Sequence, residues 1–256
     1  MKIIKTKAKE IITRSKFPGC DWVINPYVGC GHNCTYCYAR FIARWRKYGQ
    51  WGTWVEAKEN APELVKNRYV KGHVFMSSIC DAYQPIEKDL EITRKILENM
   101  DKNIHLSILT KSDLVLRDMD LFKQFKNIEV GMTINNFSGN VKNILEPNSP
   151  SFENRIKALK TLHTNKIKTY VFISPIIPGL VDVEKLIKKT KGFVDYYWFE
   201  MINLRGAGKE FKEILAKKFN ESFKLASDKE YMEKYMDDIE KMTKKYKIKV
   251  QGIERH

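Results

Sequence analysis

Three cysteines stand close together near the start of the chain, in the segment NPYVGCGHNCTYCYAR. Cys30, Cys34 and Cys37 follow a C-x3-C-x2-C pattern. Three thiolates on one tight loop can each bind one iron of a cubane iron–sulfur cluster, which leaves the fourth iron without a protein ligand. An open iron can chelate a small molecule, as a centre for reductive bond cleavage requires. Gly29 and Gly31 allow the backbone to turn tightly beside the first cysteine.

A structural zinc site is the alternative interpretation of this pattern, with His32 as the fourth ligand. Structural zinc sites usually combine two C-x2-C pairs that lie far apart in the sequence. This chain has one compact trio and no second pair nearby, so the spacing favours the iron–sulfur cluster. His32 is then expected to donate a hydrogen bond near the cluster or to be an ordinary loop residue.

Composition bounds the classes of protein to which the chain can belong. It has 256 residues, of which 43% are hydrophobic, so it can bury a sizeable core and is not a disordered chain. No apolar run is long enough to span a bilayer, and the basic start MKIIKTKAKEIITRSK has no apolar signal core. We therefore expect a cytoplasmic protein with no membrane partner, and we favour a monomer. The five cysteines are expected to serve metal binding or catalysis rather than disulfides.

The charge balance points to the kind of partner. The formal net charge is +15, which suits a polyanion such as DNA or RNA. Because the basic residues are spread along the whole chain, plain solubility is the alternative explanation.

Apolar runs alternate with helical stretches along most of the chain. The runs that predict strands are, in order, DWVIN before the cysteines, HVFMSSI from His73, LSILT ending at Thr110, IEVGMTI, TYVFIS and DYYWFEMI. The stretches that predict helices are Tyr38 to Tyr48, Glu87 to Met100, Asp118 to Phe125, a helix capped by Ser149 with Pro150 at its first position, and Asp182 to Lys191. Six strand–helix units predict an α/β fold, a partial (β/α)6 barrel rather than the eight-unit form.

The predicted domain boundaries follow a change of pattern after Arg205. Residues 1–19 form an N-terminal extension, residues 20–205 the barrel, and residues 206–256 a basic C-terminal helical appendage packed on it. The appendage contains two lysine-rich helical stretches, Lys209 to Lys224 and Asp228 to Tyr246, and ends with the alternating run KIKVQGI.

With these elements around it, the cysteine segment resembles that of the radical S-adenosylmethionine (SAM) enzymes, including the aromatic Tyr36 before the last cysteine. The wider resemblance is to the spore photoproduct lyase-like family, and it runs from Asn25 to Arg205. The matching pieces, in order, are NPYVGCGHNCTYCYAR, DAYQPIE, TRKILE, LTKSDLVLRD, EPNSPSFENRI, SPIIPGLVD and NLR. The family has a partial TIM-type barrel, in agreement with the alternation of strands and helices.

The resemblance implies a set of cofactors and site residues. Cys30, Cys34 and Cys37 would hold a 4Fe-4S cluster whose open iron binds SAM. One electron, from a donor such as a ferredoxin or flavodoxin, would cleave SAM to methionine and a 5′-deoxyadenosyl radical, which abstracts hydrogen from the substrate. Tyr36 would act at the catalytic centre, beside the adenine or the cluster. The other implied SAM contacts are Tyr38, Ser78, Asp81, Lys111 and Thr133.

Three of these positions also have a physical rationale. Asp81, Lys111 and Thr133 lie at or just past the ends of predicted strands, and the carboxyl ends of parallel strands meet at one rim of a barrel. The Asp81 carboxylate could accept a hydrogen bond from the SAM ammonium group, and the Lys111 ammonium could pair with the SAM carboxylate. A solvated loop charge is the alternative for each of the two.

A further cysteine lies after the second predicted strand of the barrel. Spore photoproduct lyases place a hydrogen-donating cysteine there, and the resemblance matches that position to Ser78. Cys80 lies two residues on and would share its face if the strand continued that far. Cys80 is therefore the candidate catalytic hydrogen donor, with a small buried thiol as the alternative.

The segment RFIARWRKYGQWGTWVEAK combines basic and aromatic residues. Arg40, Arg44 and Lys47 would share one helix face, from which they could neutralise phosphates. The segment also contains Trp45, Tyr48, Trp51 and Trp54. We expect the first two to bury the helix against the barrel, and we leave open whether the last two are exposed for base stacking.

Together these features predict a radical SAM enzyme that acts on nucleic acid, by repair of the photoproduct lyase kind or by modification. A small molecule or a peptide is the alternative substrate. A non-catalytic, metal-stabilised nucleic-acid-binding module is the alternative from another class of protein.

Overall fold

Helices and strands alternate along most of the chain, as the apolar periodicity predicts. A computed structural model describes residues 1–16 and 19–256. Within them the strands are β1 (Lys2–Thr6), β2 (Ile12–Arg14), β3 (Trp22–Ile24), β4 (Tyr27–Val28), β5 (Trp54–Lys58), β6 (His73–Met76), β7 (His105–Thr110), β8 (Asn127–Thr133), β9 (Lys168–Ile176), β10 (Tyr196–Met201) and β11 (Val250–Glu254). The α-helices are α1 (Ala61–Val65), α2 (Glu87–Leu90), α3 (Ile92–Asn99), α4 (Met119–Phe122), α5 (Gly139–Leu145), α6 (Phe152–Thr164), α7 (Val183–Thr190), α8 (Leu204–Lys218), α9 (Asn220–Ser227) and α10 (Lys229–Lys245). Short 3-10 helices cover Tyr38–Arg44 and Asp113–Asp118. No helix of the described residues is both long enough and apolar enough to cross a membrane.

The main sheet is the partial barrel that the sequence predicts. Its strand order is β11-β10-β9-β8-β7-β6-β3-β2, and every neighbouring pair except β2 with β3 is parallel. The six predicted strands correspond to β3, β6, β7, β8, β9 and β10, so the α/β fold class is confirmed. Parallel strands that are covered on both faces have continuous apolar runs, and in β8 the last five residues are all buried.

The C-terminal segment adds a strand to this sheet. The chain leaves β10, passes through α8, α9 and α10, and returns to the sheet as β11. This last strand pairs in parallel with β10. It arises from the end of the run KIKVQGI, which the sequence pattern assigned to a helical appendage. The segment also enters the core, since Phe211 and Ile239 are fully buried in it.

A second, three-stranded sheet of order β1-β5-β4 leads directly into the cysteine segment. Beside it, Trp51 and Trp54 are buried in a small apolar cluster that also contains Cys30, Ala39 and Ile42. The two tryptophans are therefore packing residues that support the cysteine loop, and they are not available for base stacking.

The predicted helix from Glu87 to Met100 and the one expected after Ser149 differ in detail from the observed ones. The stretch from Glu87 to Met100 is broken at Glu91, whose φ of 53° is left-handed. The break has a cause: the buried Glu87 carboxylate accepts hydrogen bonds from the backbone N–H of Thr93 and Arg94 and so caps α3. The helix expected to begin after Ser149 begins instead after Ser151, whose hydroxyl accepts from the backbone N–H of residue 154.

Candidate active site

The cysteine loop follows β4 and is held close to β5. Cys30 and Cys34 are buried and Cys37 is half-buried. Gly29 has a φ of 91°, and a Cβ at this position would lie 2.7 Å from the carbonyl oxygen of Trp54. Only glycine accommodates that close approach without strain, because the left-handed backbone and the missing side chain are both required.

The donor set of this loop fits an iron–sulfur cluster better than a single metal ion. Burial raises the pKa of all three thiols, in Cys34 to about 12, so they are neutral until a metal displaces their protons. The ligand atoms of a single metal ion lie close to one another. In the described part of the chain, the sulfurs of Cys30, Cys34 and Cys37 do not all lie within 4.8 Å of one another. Thiolates that bind separate irons of a cubane do not converge on one point, so this spacing fits the cluster.

His32 is not placed to complete a zinc site with these cysteines. Its Nδ1 lies 3.3 Å from the carbonyl oxygen of Asn148, and its Nε2 lies 3.2 Å from Oδ2 of Asp81. The second contact is close but not aligned as a hydrogen bond. Since both ring nitrogens are directed at oxygen atoms, His32 links the cysteine loop to the barrel rim, in agreement with the expected role outside the ligand set.

Asp81 lies in the loop after β6, where its carboxylate is buried and accepts three hydrogen bonds. Oδ1 accepts hydrogen bonds from the Tyr83 backbone N–H at 2.9 Å and from Thr110 Oγ1 at 2.7 Å. Oδ2 accepts from the Lys111 backbone N–H at 2.8 Å and faces His32. Burial raises the pKa of Asp81, but His32 and these donors lower it to about 2. These three hydrogen bonds use three of the about four acceptor positions of a carboxylate, so Asp81 organises the rim, and its contact with the SAM ammonium group stays a prediction.

Lys111 follows β7 and is the basic side chain of this rim. Its Nζ lies 5.7 Å from the centre of the Tyr36 ring, and it makes no hydrogen bond or ion pair with any residue that the structure describes. Burial lowers the pKa of this ammonium group, but Cys34 and Glu146 raise it, and the net result is a raised pKa. A charged ammonium group without an oxygen partner in a partly buried site is suited to bind an anion.

A buried charged cluster on the next loop of the rim was missed in the sequence. Glu146 and Arg155 form an ion pair and are each 1% exposed. Tyr36 and Ser149 donate hydrogen bonds to Glu146, and Arg155 Nη1 donates to the carbonyl oxygen of Thr133 at 3.1 Å. Thr133 is thus at the end of β8 as predicted, and its backbone is held by this cluster. The available signal was the piece EPNSPSFENRI, which contains both charged residues but to which we assigned no site role.

Cys80 is not on a strand. β6 ends at Met76, and Ser77, with a φ of 86°, turns the backbone out of the extended conformation. The condition under which Cys80 would share a strand face with Ser78, continuation of the strand to Cys80, is therefore not met. The Cys80 thiol instead lies 3.6 Å from Oδ1 of Asn25, and burial raises its pKa to about 12.

Asn25, the first residue of the matching segment, holds this loop with its side-chain amide, which the sequence did not suggest. Its Nδ2 donates to Ser78 Oγ at 2.8 Å, and its Oδ1 accepts from the Ile79 backbone N–H at 3.0 Å. Tyr38 donates from its hydroxyl to the carbonyl oxygen of Ser78. Ser78 and Tyr38, two predicted SAM contacts, therefore lie together, and Tyr38 directly follows the last cysteine of the trio.

The aromatic segment after the trio is exposed, contrary to expectation. Trp45 is 73% exposed and Tyr48 is 37% exposed, so the prediction that they bury a helix is wrong. The reason is that the helix is a short 3-10 helix that ends at Arg44, before both of these residues, and it is buried through Ala39 and Ile42. Arg40 Nη2 pairs with Glu210 Oε2 at 2.6 Å.

Comparisons with known proteins agree with this site. The model of the radical SAM superfamily matches residues 24–189. The chain is 56% identical to the uncharacterized protein MJ0683 from Methanocaldococcus jannaschii, over 99% of this chain and 97% of that protein. It is 28% identical to the uncharacterized protein ORF301 from Acidianus two-tailed virus, over 76% of this chain and 71% of that protein. A solved spore photoproduct lyase variant with bound AdoMet and dinucleoside spore photoproduct has the same fold, with a TM-score of 0.70 at 14% identity over 98% of this chain and 81% of that one.

The superfamily match covers more than half of the chain and includes the cysteine loop, the charged rim and the strands that carry it. Radical SAM enzymes use a 4Fe-4S cluster and SAM, and the buried thiols and the Lys111 ammonium fit those two cofactors. The chain therefore belongs to the radical SAM superfamily, and its fold is that of spore photoproduct lyase.

Proposed function

We propose that this radical SAM enzyme acts on nucleic acid. The observation that carries the proposal is the exposed surface beside the cysteine loop. Of the large hydrophobic side chains exposed in the described residues, four are aromatic and follow Cys37 within eleven residues: Tyr38, Phe41, Trp45 and Tyr48. Exposed Arg44 and Lys47 lie between them. Basic groups neutralise phosphates and aromatic rings stack on bases, so this combination suits a single strand or an extruded base.

The net charge and the fold support the same substrate class. The formal net charge of +15 attracts polyanions. The spore photoproduct lyase that shares this fold was solved with a dinucleoside lesion bound. A small molecule or a peptide as substrate would not explain why aromatic and basic side chains are exposed together next to the site.

We assign the following roles to the rim. When bound, the 4Fe-4S cluster and SAM supply the 5′-deoxyadenosyl radical that abstracts hydrogen. Cys30, Cys34 and Cys37 provide the three thiolate ligands, and Lys111 binds the SAM carboxylate. Asp81 is a positioning residue, because it holds the backbone N–H of Lys111 and faces His32 on the cysteine loop. Tyr36, Tyr38, Ser78 and Thr133 stay predicted SAM contacts.

Cys80 stays the candidate hydrogen donor. A hydrogen-atom donor must keep its S–H bond at neutral pH, and the raised pKa of about 12 ensures this for Cys80. Its contact with Asn25 holds the thiol in the same loop as Ser78. The electron donor, a ferredoxin or flavodoxin, also stays a prediction.

Lys111→Met is expected to weaken SAM binding by about 10- to 100-fold, the usual loss for one hydrogen bond to a charged group. The cluster should be retained, because Lys111 is not a metal ligand. The measurement is SAM affinity on cluster-loaded protein, with the exposed Lys160→Met as the matched control. Equal affinities in Lys111→Met, Lys160→Met and wild type would show that another group binds the SAM carboxylate.

The surface makes a separate prediction for nucleic acid binding. The double variant Arg44→Glu, Lys47→Glu should depend less on salt in its binding to a single strand. The slope of the log binding constant against log salt concentration should become smaller by about 0.7 for each phosphate that these two side chains neutralise in the wild type. Trp45→Ala should cost about 1–3 kcal/mol of binding if its ring stacks on a base. Lys160→Glu and the exposed Tyr69→Ala are the controls for changes of charge and of aromatic surface elsewhere. An unchanged slope in the double variant would place the nucleic acid on a different surface.

Binding alone does not identify a substrate, since a basic protein can bind any polyanion. The decisive measurement is transfer of deuterium from labelled DNA or RNA into 5′-deoxyadenosine or back into SAM under anaerobic turnover. Absence of transfer from damaged and undamaged DNA and from RNA would favour a small molecule or peptide instead.

A further inference from the structure

Three side chains with metal-binding atoms lie together at the end of the barrel opposite the cysteine trio. His73 is the first residue of β6, and its register partner His105 is the first residue of β7. Glu129 of β8 lies two residues after Asn127, the register partner of His105, and therefore on the same face. One ligand atom from each of the three residues lies within 4.8 Å of the other two.

The hydrogen bonds of His73 determine which of its ring nitrogens can bind a metal. Nδ1 lies 2.7 Å from the carbonyl oxygen of Gly19, which can only accept, so Nδ1 carries a hydrogen. In the neutral ring Nε2 then has a free lone pair. Nε2 is buried and has no hydrogen-bond partner among the described residues. A ligating histidine usually donates its other ring N–H to a backbone carbonyl in this way.

Glu129 directs a second acceptor toward the same point. Its Oε1 lies 3.8 Å from Nε2 of His73, while its Oε2 pairs with Lys168 Nζ at 2.8 Å. Burial raises the pKa of the Glu129 carboxyl, but Lys168 lowers it and the net shift is downward, so the group is ionised at neutral pH. Two acceptors that face each other at this distance are repelled unless a cation, or a proton on His73, lies between them.

His105 supplies the third ligand. Its ring stacks on that of His73 with centroids 4.4 Å apart and an interplanar angle of 22°. Burial and then the neighbouring His73 lower the pKa of His105, which favours the neutral imidazole that a metal requires. His105 and Glu129 also line an open cavity of about 730 Å³, so water can reach any remaining coordination position.

We propose that His73, His105 and Glu129 form a second metal site, which binds a divalent transition ion such as Zn²⁺. Two imidazoles and one carboxylate are a ligand set that zinc accepts, with one position left open. The ion would connect residues at the start of three neighbouring strands, β6, β7 and β8. It would therefore stabilise the barrel at the end remote from the radical chemistry. The site does not depend on the proposed substrate.

The test is a titration of the cluster-loaded protein with Zn²⁺ and, as a spectroscopic probe, with Co²⁺. A single equivalent of Co²⁺ should give ligand-field absorption without a thiolate-to-cobalt charge-transfer band, because the ligands are nitrogen and oxygen. Zn²⁺ should raise the unfolding temperature. Each of three variants should weaken the metal affinity by more than about 10-fold: His73→Ala, His105→Ala and Glu129→Gln. Loss of a residue that only hydrogen-bonds to a metal ligand already lowers affinity by at least about 10-fold.

Two further variants separate a metal site from a plain ion pair. Lys168→Met removes a competing cation from Glu129 and should strengthen Zn²⁺ binding, whereas the half-buried His163→Ala on α6 should change nothing. If His73 and Glu129 are only an ion pair, saturating Zn²⁺ will leave the unfolding temperature of the wild type unchanged. That result, a thiolate charge-transfer band, or equal affinities in His73→Ala and His163→Ala would overturn the proposal.

Discussion

Replacing any one of Cys30, Cys34 or Cys37 by alanine is expected to abolish the iron–sulfur cluster and, with it, all cleavage of SAM. Each thiol would hold a different iron of the cubane, so the remaining two cysteines cannot compensate. Anaerobically purified wild type should contain about four irons per chain, and each variant should contain almost none. Iron analysis and the yield of 5′-deoxyadenosine measure the two effects.

Cys20→Ala is the matched control for this series. Cys20 donates a hydrogen bond to Ser15 Oγ at 3.1 Å, outside the cysteine loop, so its loss should leave the iron content at the wild-type level. Cys80→Ala should also retain the cluster. This variant should lose product formation only if the Cys80 thiol donates a hydrogen atom during the reaction. Stoichiometric zinc without iron after anaerobic reconstitution would contradict the assignment of the trio.

The second large effect is expected at the buried ion pair of the rim. Glu146→Gln or Arg155→Met should lower the free energy of unfolding by about 3–5 kcal/mol, because each leaves an uncompensated charge in the interior. The double variant should cost less than the sum of the two single changes, since it buries neither charge alone. Urea unfolding of the cluster-free proteins measures this without a contribution from metal binding.

The exposed Asp120→Asn is the control for this pair. Asp120 Oδ2 accepts from Arg94 at 2.9 Å at the surface, where ion pairs contribute little. Losses of less than about 1 kcal/mol in both Glu146 and Arg155 variants would mean that the pair is solvated rather than buried.

The same pair predicts how stability depends on pH. Burial raises the pKa of Glu146, but Arg155 and Lys111 lower it from an ordinary value of 4.5 to about 2. A carboxyl with a lowered pKa stabilises the fold fully above its unfolded value, and the contribution is lost as the pH falls toward the folded value. Stability should therefore decline between about pH 4.5 and pH 2, and Glu146→Gln should show a smaller decline over that range.

The sequence alone predicted the parts of this protein that depend on neighbouring residues. The cysteine trio is a local pattern, because the three predicted ligands of the cluster lie within eight residues. The strands of the barrel follow from local apolar periodicity, which is why all six were predicted correctly, whereas several predicted helices differ in their bounds or type. The alternation of strands and helices in turn implied parallel pairing, and parallel pairing implied that Asp81, Lys111 and Thr133 share a rim.

Only the tertiary structure decided which partners these side chains have. Asp81 has the spacing of a cofactor contact, but Thr110 and His32 reach its carboxylate from other segments. Trp45 and Trp54 belong to one aromatic segment, yet the first is exposed and the second is buried. Trp45 follows a 3-10 helix that ends at Arg44, whereas Trp54 begins strand β5, and the sequence pattern does not show where the helix ends.

Neither the pairing of Glu146 with Arg155 nor the strand register could be read from the sequence, although the piece EPNSPSFENRI contains both members of the pair. Glu146 and Arg155 meet through a turn, and His73, His105 and Glu129 meet because three strands pair in one particular register. A shift of that register by one residue would move these ligands to opposite faces of the sheet. Register and loop closure are set by packing across the whole core, so the charged pair of the rim and the proposed metal site became visible only in three dimensions.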